Sequence, residues 1–189
     1  TAVSAPVNGS VSLVGTNITF KRPDGKETAG YLANAARGNA PGVVVVQEWW
    51  GLSENIKGLC DRFAVAGFDA LAPDLYKGVV VPYHDTDAAN KQMTSLDFMD
   101  ATTQNVRGAA QYLARNGAKV GLTGFCLGGA VTIIGSTRIP ELSAAVCFYG
   151  IPPRDFAYFA SPRAWSFVRT VLKDGIALPG FVACGSRIH

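Results

Sequence analysis

Residues 43–46 are four consecutive valines, set directly after the turn signal Pro41-Gly42. A β-branched run with no polar face predicts a strand covered on both sides, the situation of a central strand in a parallel sheet. The segments that follow suit such a sheet. From Ser53, placed as an N-cap, Ile56, Leu59, Cys60, Phe63 and Ala64 recur at helical spacing and stop at Gly67. Residues 69–72 before Pro73 predict a short strand, residues 78–84 an exposed loop, and residues 86–115 a broken helix closed by Asn116-Gly117. Strand 119–123, helix 127–136 and strand 144–149 come next. Upstream, residues 11–20 and 28–36 flank Pro23-Asp24-Gly25 and predict an antiparallel hairpin. Alternating strands and helices build an α/β fold: a doubly wound, mostly parallel sheet with helices on both faces and right-handed crossovers.

That pattern stops after Pro153. Residues 154–170 mix aromatics and Arg without a period, and residues 171–184 predict one or two short strands around Pro179-Gly180. Charge changes at the same place: residues 1–153 hold twelve Lys/Arg and twelve Asp/Glu, residues 154–189 five and two. We read residues 1–189 as one domain whose last 36 residues are truncated or altered relative to the pattern before them.

With 48% hydrophobic residues and a net charge of +3, disorder is excluded. No Lys/Arg run exists, which argues against nucleic acid or an anionic membrane as partner, and no 18-residue apolar stretch exists to span a bilayer. Cys60, Cys126, Cys147 and Cys184 fit neither a zinc site, a C-x-x-C pair nor a disulfide framework. Reduced thiols, no metal or cofactor, a cytoplasmic location and a monomer are the resulting expectations. The sequence opens on Thr1 rather than Met, which we read as a processed or late start.

Chemistry concentrates in Gly124-Phe125-Cys126-Leu127-Gly128-Gly129, between a predicted strand and a predicted helix. This is G-x-C-x-G, the cysteine form of a nucleophile elbow, whose glycines permit a tight turn that lifts the nucleophile above the sheet. At a helix N-terminus the dipole favours thiolate, predicting a thiol pKa below the free value of about 8.5. The N–H of Leu127 would face an oxyanion at the attacked carbonyl. The alternative for Cys126 is a core thiol in a Gly-rich turn.

A second cluster, Gln47-Glu48-Trp49-Trp50-Gly51, follows the valine strand. Ligands of open α/β sheets bind at the carboxyl ends of strands, so this loop and the elbow are expected to face one crevice. Glu48 would act on the thiol and the N–H of Trp49 would complete an oxyanion hole. A structural carboxylate and core-capping indoles are the competing reading.

The run VVVVQEWWGL, the segment from Ala66-Gly67-Phe68 through Ala72-Pro73-Asp74-Leu75-Tyr76, the GFCLGG elbow and Phe148-Tyr149-Gly150 stand in this order over about residues 12–153. In them the chain resembles the dienelactone hydrolase family, cysteine members of the α/β-hydrolase fold. The resemblance implies hydrolysis of an ester or enol lactone by a Cys-His-Asp triad of the carboxymethylenebutenolidase type. Cys126 is then the nucleophile, Glu48 the carboxylate acting on the resting thiol, and the N–H groups of Trp49 and Leu127 the oxyanion donors. Asp174, 48 residues past Cys126 and ahead of Pro179, best matches the family's acid, against a plain surface-turn Asp.

The same resemblance implies a general-base His about thirty residues beyond the acid, near position 205, whereas the sequence ends at 189. His84 reads as a solvated loop residue, with substrate contact as its alternative, and His189 stands only 15 residues past Asp174. A parent chain that extends further is expected to be a working thiol hydrolase; a chain complete at 189 would hold a nucleophile without its base. Family members grip a substrate carboxylate with Arg just past the Tyr matched by Tyr76, where Lys77 and Gly78 stand here. Trp49, Trp50, Tyr76 and Tyr83 form either an aromatic substrate wall or ordinary core and rim.

Other classes remain: a non-catalytic binding protein of the same fold lacking its general base, or a thiol redox sensor. A nucleotide-binding Rossmann enzyme is disfavoured, since no G-x-G-x-x-G follows the valines.

Overall fold

A computed structural model describes residues 13–153 and 181–182. The strands are β1 (Thr16–Lys21), β2 (Glu27–Ala33), β3 (Gly42–Val46), β4 (Asp69–Pro73), β5 (Val120–Phe125), β6 (Leu142–Phe148) and β7 (Phe181–Val182). They form one sheet in the order β1-β2-β4-β3-β5-β6-β7. β4, β3, β5 and β6 pair in parallel, and β1-β2, β2-β4 and β6-β7 pair antiparallel. Five of the seven strands therefore run one way, with only β2 and β7 reversed.

All five residues of β3 are buried. Val44 and Val46 join a cluster with Leu71, Leu122, Ala109 and Val131, while Val43 and Val45 meet Ile56, Cys60, Ala70 and Ala72 on the other face. Each valine removed from water contributes roughly 1.5 kcal/mol or more, which fixes β3 at the centre. Helix α1 (Glu54–Val65) covers one face, and α4 (Arg107–Ala114) and α5 (Leu127–Arg138) cover the other. Ser53 is the N-cap residue of α1, although its side chain makes no capping bond, and Gly67 closes the helix at φ 92°. Asp61 on α1 accepts from the N–H groups of Val14 and Gly15 and from the Tyr31 hydroxyl, tying the start of β1 to the helix layer.

The segment 86–115 is more finely divided than its periodicity predicts. It comprises α2 (Thr86–Thr94), α3 (Phe98–Asp100), a π-helical turn (Ala101–Val106) and α4. Asp97 starts a new helix by accepting from the N–H groups of Met99 and Asp100. Just beyond, Thr102 and Thr103 donate to the carbonyls of Phe98 and Met99, the side-chain competition that loosens a helical ladder. Strand boundaries also move: among them, β2 ends at Ala33, short of residue 36, and β6 starts at Leu142 and ends at Phe148, before Tyr149 with its φ of 38°. Within the region 171–184 only residues 181 and 182 are described, and they form β7, paired with Cys147 and Phe148. Asp174, Cys184 and His189 lie outside the described residues.

Candidate active site

Cys126 sits between the end of β5 and the first turn of α5 at φ 55°, ψ −116°. A residue with a Cβ avoids this region, and holding one there costs on the order of 1–3 kcal/mol. Its neighbours enforce it. The N–H of Cys126 donates to the Phe148 carbonyl at 3.1 Å, and its carbonyl accepts from Ala130 N–H at 3.1 Å. The flanking glycines are required by contact: a Cβ on Gly124 would strike the Gly128 carbonyl, and one on Gly128 would lie 2.6 Å from the Gln47 carbonyl and strike that of Val46. The elbow is thus seated against the end of β3, beside the loop that carries Glu48.

The thiol is shaped by opposing influences. Burial pushes its pKa up most strongly, the Leu127 N–H hydrogen-bonded to the sulfur pulls it down, and the charge of Glu48 pushes it up again. The balance lies above the ordinary value, so Cys126 rests as a neutral thiol. The sequence reading expected a thiolate; the helix N-terminus acts as foreseen through Leu127, but desolvation and the carboxylate outweigh it.

Glu48 is half-buried. Its Oε1 accepts from the Tyr149 hydroxyl at 3.4 Å, and its carbonyl accepts from Gly51 N–H at 3.2 Å. Next to it, Trp49 meets Trp50 edge-on with centroids 5.1 Å apart, and Trp50 stacks on Tyr83 at 4.9 Å. Behind this rim Gln47 is fully buried and accepts from Leu75 N–H at 3.1 Å. Asp74 accepts from Tyr76 N–H at 2.9 Å and from Gly78 N–H. These bonds hold the loop after β4, with Tyr76 buried within it.

A largely apolar cavity of about 580 Å³ opens at Cys126, with Met93, Leu96, Phe98, Leu127, Tyr149 and Ile151 in its wall. Cys126 and Leu127 thus meet at this cavity, and the charge of Glu48 acts on the sulfur. Tyr76 and Lys77 instead border a second, smaller cavity of about 250 Å³ beside Arg22 and Asp100. Lys77 is exposed on a turn with φ 53° and lines that second cavity. His84 is exposed and meets Tyr83 edge-on at 5.6 Å. Tyr149 was given no role from sequence, although its place just past the carboxyl end of β6 marks the crevice where ligands of such sheets bind. Met93, Leu96 and Phe98 were hidden because apolar residues near a helix break read equally as core. Among the described residues no helix is long and apolar enough to cross a membrane.

Three comparisons show which proteins the chain and its fold resemble. Residues 28–164 match the profile of the dienelactone hydrolase family, reaching eleven residues past Pro153, where the sequence pattern fades. Over 150 residues the chain is 39% identical to Protein usf of Aquifex pyrophilus and 36% identical to a protein of Aquifex aeolicus named as a carboxymethylenebutenolidase. Each alignment covers 74% of this chain and 63% of the relative, so the chain spans under two thirds of the length of these relatives. A crystal structure described as a dienelactone hydrolase from Klebsiella pneumoniae superposes with a TM-score of 0.61 at 32% identity, covering 72% of this chain and 60% of that one.

Proposed function

Since the chain belongs to the dienelactone hydrolase family and has its α/β-hydrolase fold, we propose that it is a thiol-dependent hydrolase of small esters or enol lactones. The observation that carries this reading is Cys126, held at φ 55° at the head of α5 and open to the 580 Å³ cavity. A thiol in an ordinary core has no need of a strained backbone at a helix N-terminus.

The chemistry proceeds by acyl transfer. The Cys126 sulfur loses its proton and attacks the substrate carbonyl; a C–S bond forms while the carbonyl π electrons move onto oxygen. The N–H of Leu127, which bonds the sulfur at rest, turns to that oxyanion together with the N–H of Trp49. Collapse of the intermediate expels the alcohol or enol oxygen, which takes up a proton, and leaves a thioester. Water attacks the thioester, releasing the acid and restoring the thiol. Proton transfers in both halves call for the general-base His that the family resemblance implies beyond Asp174. Glu48 keeps the thiol neutral until substrate enters, which protects an accessible sulfur from oxidation.

The apolar wall suits a hydrophobic acyl group or ring. Hydrolysis of a p-nitrophenyl ester, compared with Cys126→Ala, tests the reading: loss of turnover in the variant supports it, and equal rates would refute thiol catalysis.

A further inference from the structure

Three side chains in the wall of the Cys126 cavity, Met93, Leu96 and Phe98, come from the break between α2 and α3. Their spacing, three residues and then two, is not that of one helical stripe. They share a wall because the chain turns between them. Thr94 and Ser95 end α2 by donating their hydroxyls to the carbonyls of Asn90 and Lys91 at 2.8 and 2.7 Å. Asp97 then starts α3 by accepting from the N–H groups of Met99 and Asp100, both at 2.9 Å. All three apolar side chains are partly buried and pack against the core cluster that holds Leu127 and Val131. The wall is completed in part by Leu127, which is buried, and by Tyr149 and Ile151, which are 58% and 89% exposed.

At about 580 Å³ the cavity falls within the size range of small-molecule sites. An acetyl group would leave most of it to water lying against apolar side chains. A larger apolar group expels that water and removes both surfaces from solvent, which is favourable. Of the two halves of an ester, only the acyl half stays bonded to the sulfur through both chemical steps. Contacts with it act on both barriers, whereas contacts with the leaving group act on one.

We propose that this cavity is an acyl pocket for an apolar acyl group of several carbons, and that Met93, Leu96 and Phe98 determine the preference for it. The inference rests on Cys126 being the nucleophile and narrows the class of ester that it attacks.

The test uses N-alkyl iodoacetamides with methyl, butyl, hexyl and octyl tails, with alkylation of Cys126 read by peptide mass and normalised to the rate with glutathione. The sulfur displaces iodide and forms an S–C bond, carrying the tail as a thioester carries its acyl chain, without calling on the rest of the triad. Normalised rates should climb roughly 2- to 4-fold per added methylene until the cavity is filled. Met93→Gln and Leu96→Gln, which put an amide in the wall, should each flatten that climb, read as a slope rather than as an absolute rate. A flat series in the unsubstituted protein would overturn the proposal and leave the nucleophile in place. A climb undiminished in both variants would put the tail elsewhere and overturn it as well. A Cys126 that reacts with none of the four reagents would overturn the nucleophile reading, and this proposal with it.

Discussion

The Tyr149 hydroxyl donates to Oε1 of Glu48 at 3.4 Å, joining the residue just past β6 to the loop after β3 across the mouth that exposes Cys126. Glu48 is thereby kept where its charge raises the pKa of the thiol. Glu48→Gln keeps the acceptor and removes the charge. The thiol pKa should fall and the thiolate fraction at neutral pH should rise, accelerating iodoacetamide alkylation of Cys126 roughly 3- to 10-fold. Unchanged or slower alkylation would show that the carboxylate does not set the resting state.

The elbow's contact with β3 gives a stability prediction. Gly128→Ala places a Cβ 2.6 Å from the Gln47 carbonyl and against that of Val46, both backbone atoms of a fully buried strand end. Neither can yield without disturbing the sheet, so the variant should lose about 3 kcal/mol or more in urea unfolding.

Strain at Cys126 predicts a different sign. At φ 55°, ψ −116° an alanine keeps the strain and a glycine relieves it. Cys126→Gly should be more stable than Cys126→Ala by about 1–2 kcal/mol, the reverse of the order these residues have inside a helix. Equal stabilities would mean the turn relaxes once the thiol is gone.

These predictions also mark how far the sequence could be read. The valine run located β3 because four β-branched residues in a row have no solvent-compatible face, and the elbow was legible because its glycines are imposed by backbone contact. The resting charge of Cys126 was not legible: the helix dipole is local, but burial and the approach of Glu48 depend on how β3, β5 and α5 pack. Tyr76 was ambiguous for a related reason, since a tyrosine beside a strand end serves a pocket wall or a core equally, and only its burial in the packed cluster separates them. The π-helical turn arises from two consecutive threonines bonding backwards, a choice that apolar periodicity does not record. Lys77 stands where the resemblance puts a carboxylate-gripping Arg, and the turn that buries Tyr76 exposes it.

On the opposite face of the sheet, Asp61 governs a pH dependence. Burial, with the hydrogen bond to Asp61, pushes Tyr31 from 10.0 to about 12; burial, with the charge of Asp61, pushes Cys60 from 9.0 to about 12. Each holds its proton longer in the native state than in the unfolded chain. The stability they confer is complete below about pH 9 and is lost as pH climbs towards about 12. Urea midpoints should hold level to about pH 9 and fall above it, with a shallower fall in Tyr31→Phe because one of the two groups no longer titrates.

The central claim is that Cys126 attacks a carbonyl, and the most direct measurement is the covalent product itself. Mixing the protein with p-nitrophenyl acetate should release a burst of p-nitrophenolate of about one equivalent per chain, with one acetyl group found by mass on the peptide containing Cys126 and no burst in Cys126→Ala. Acetylation of another residue, or an equal burst in the alanine variant, would contradict the account.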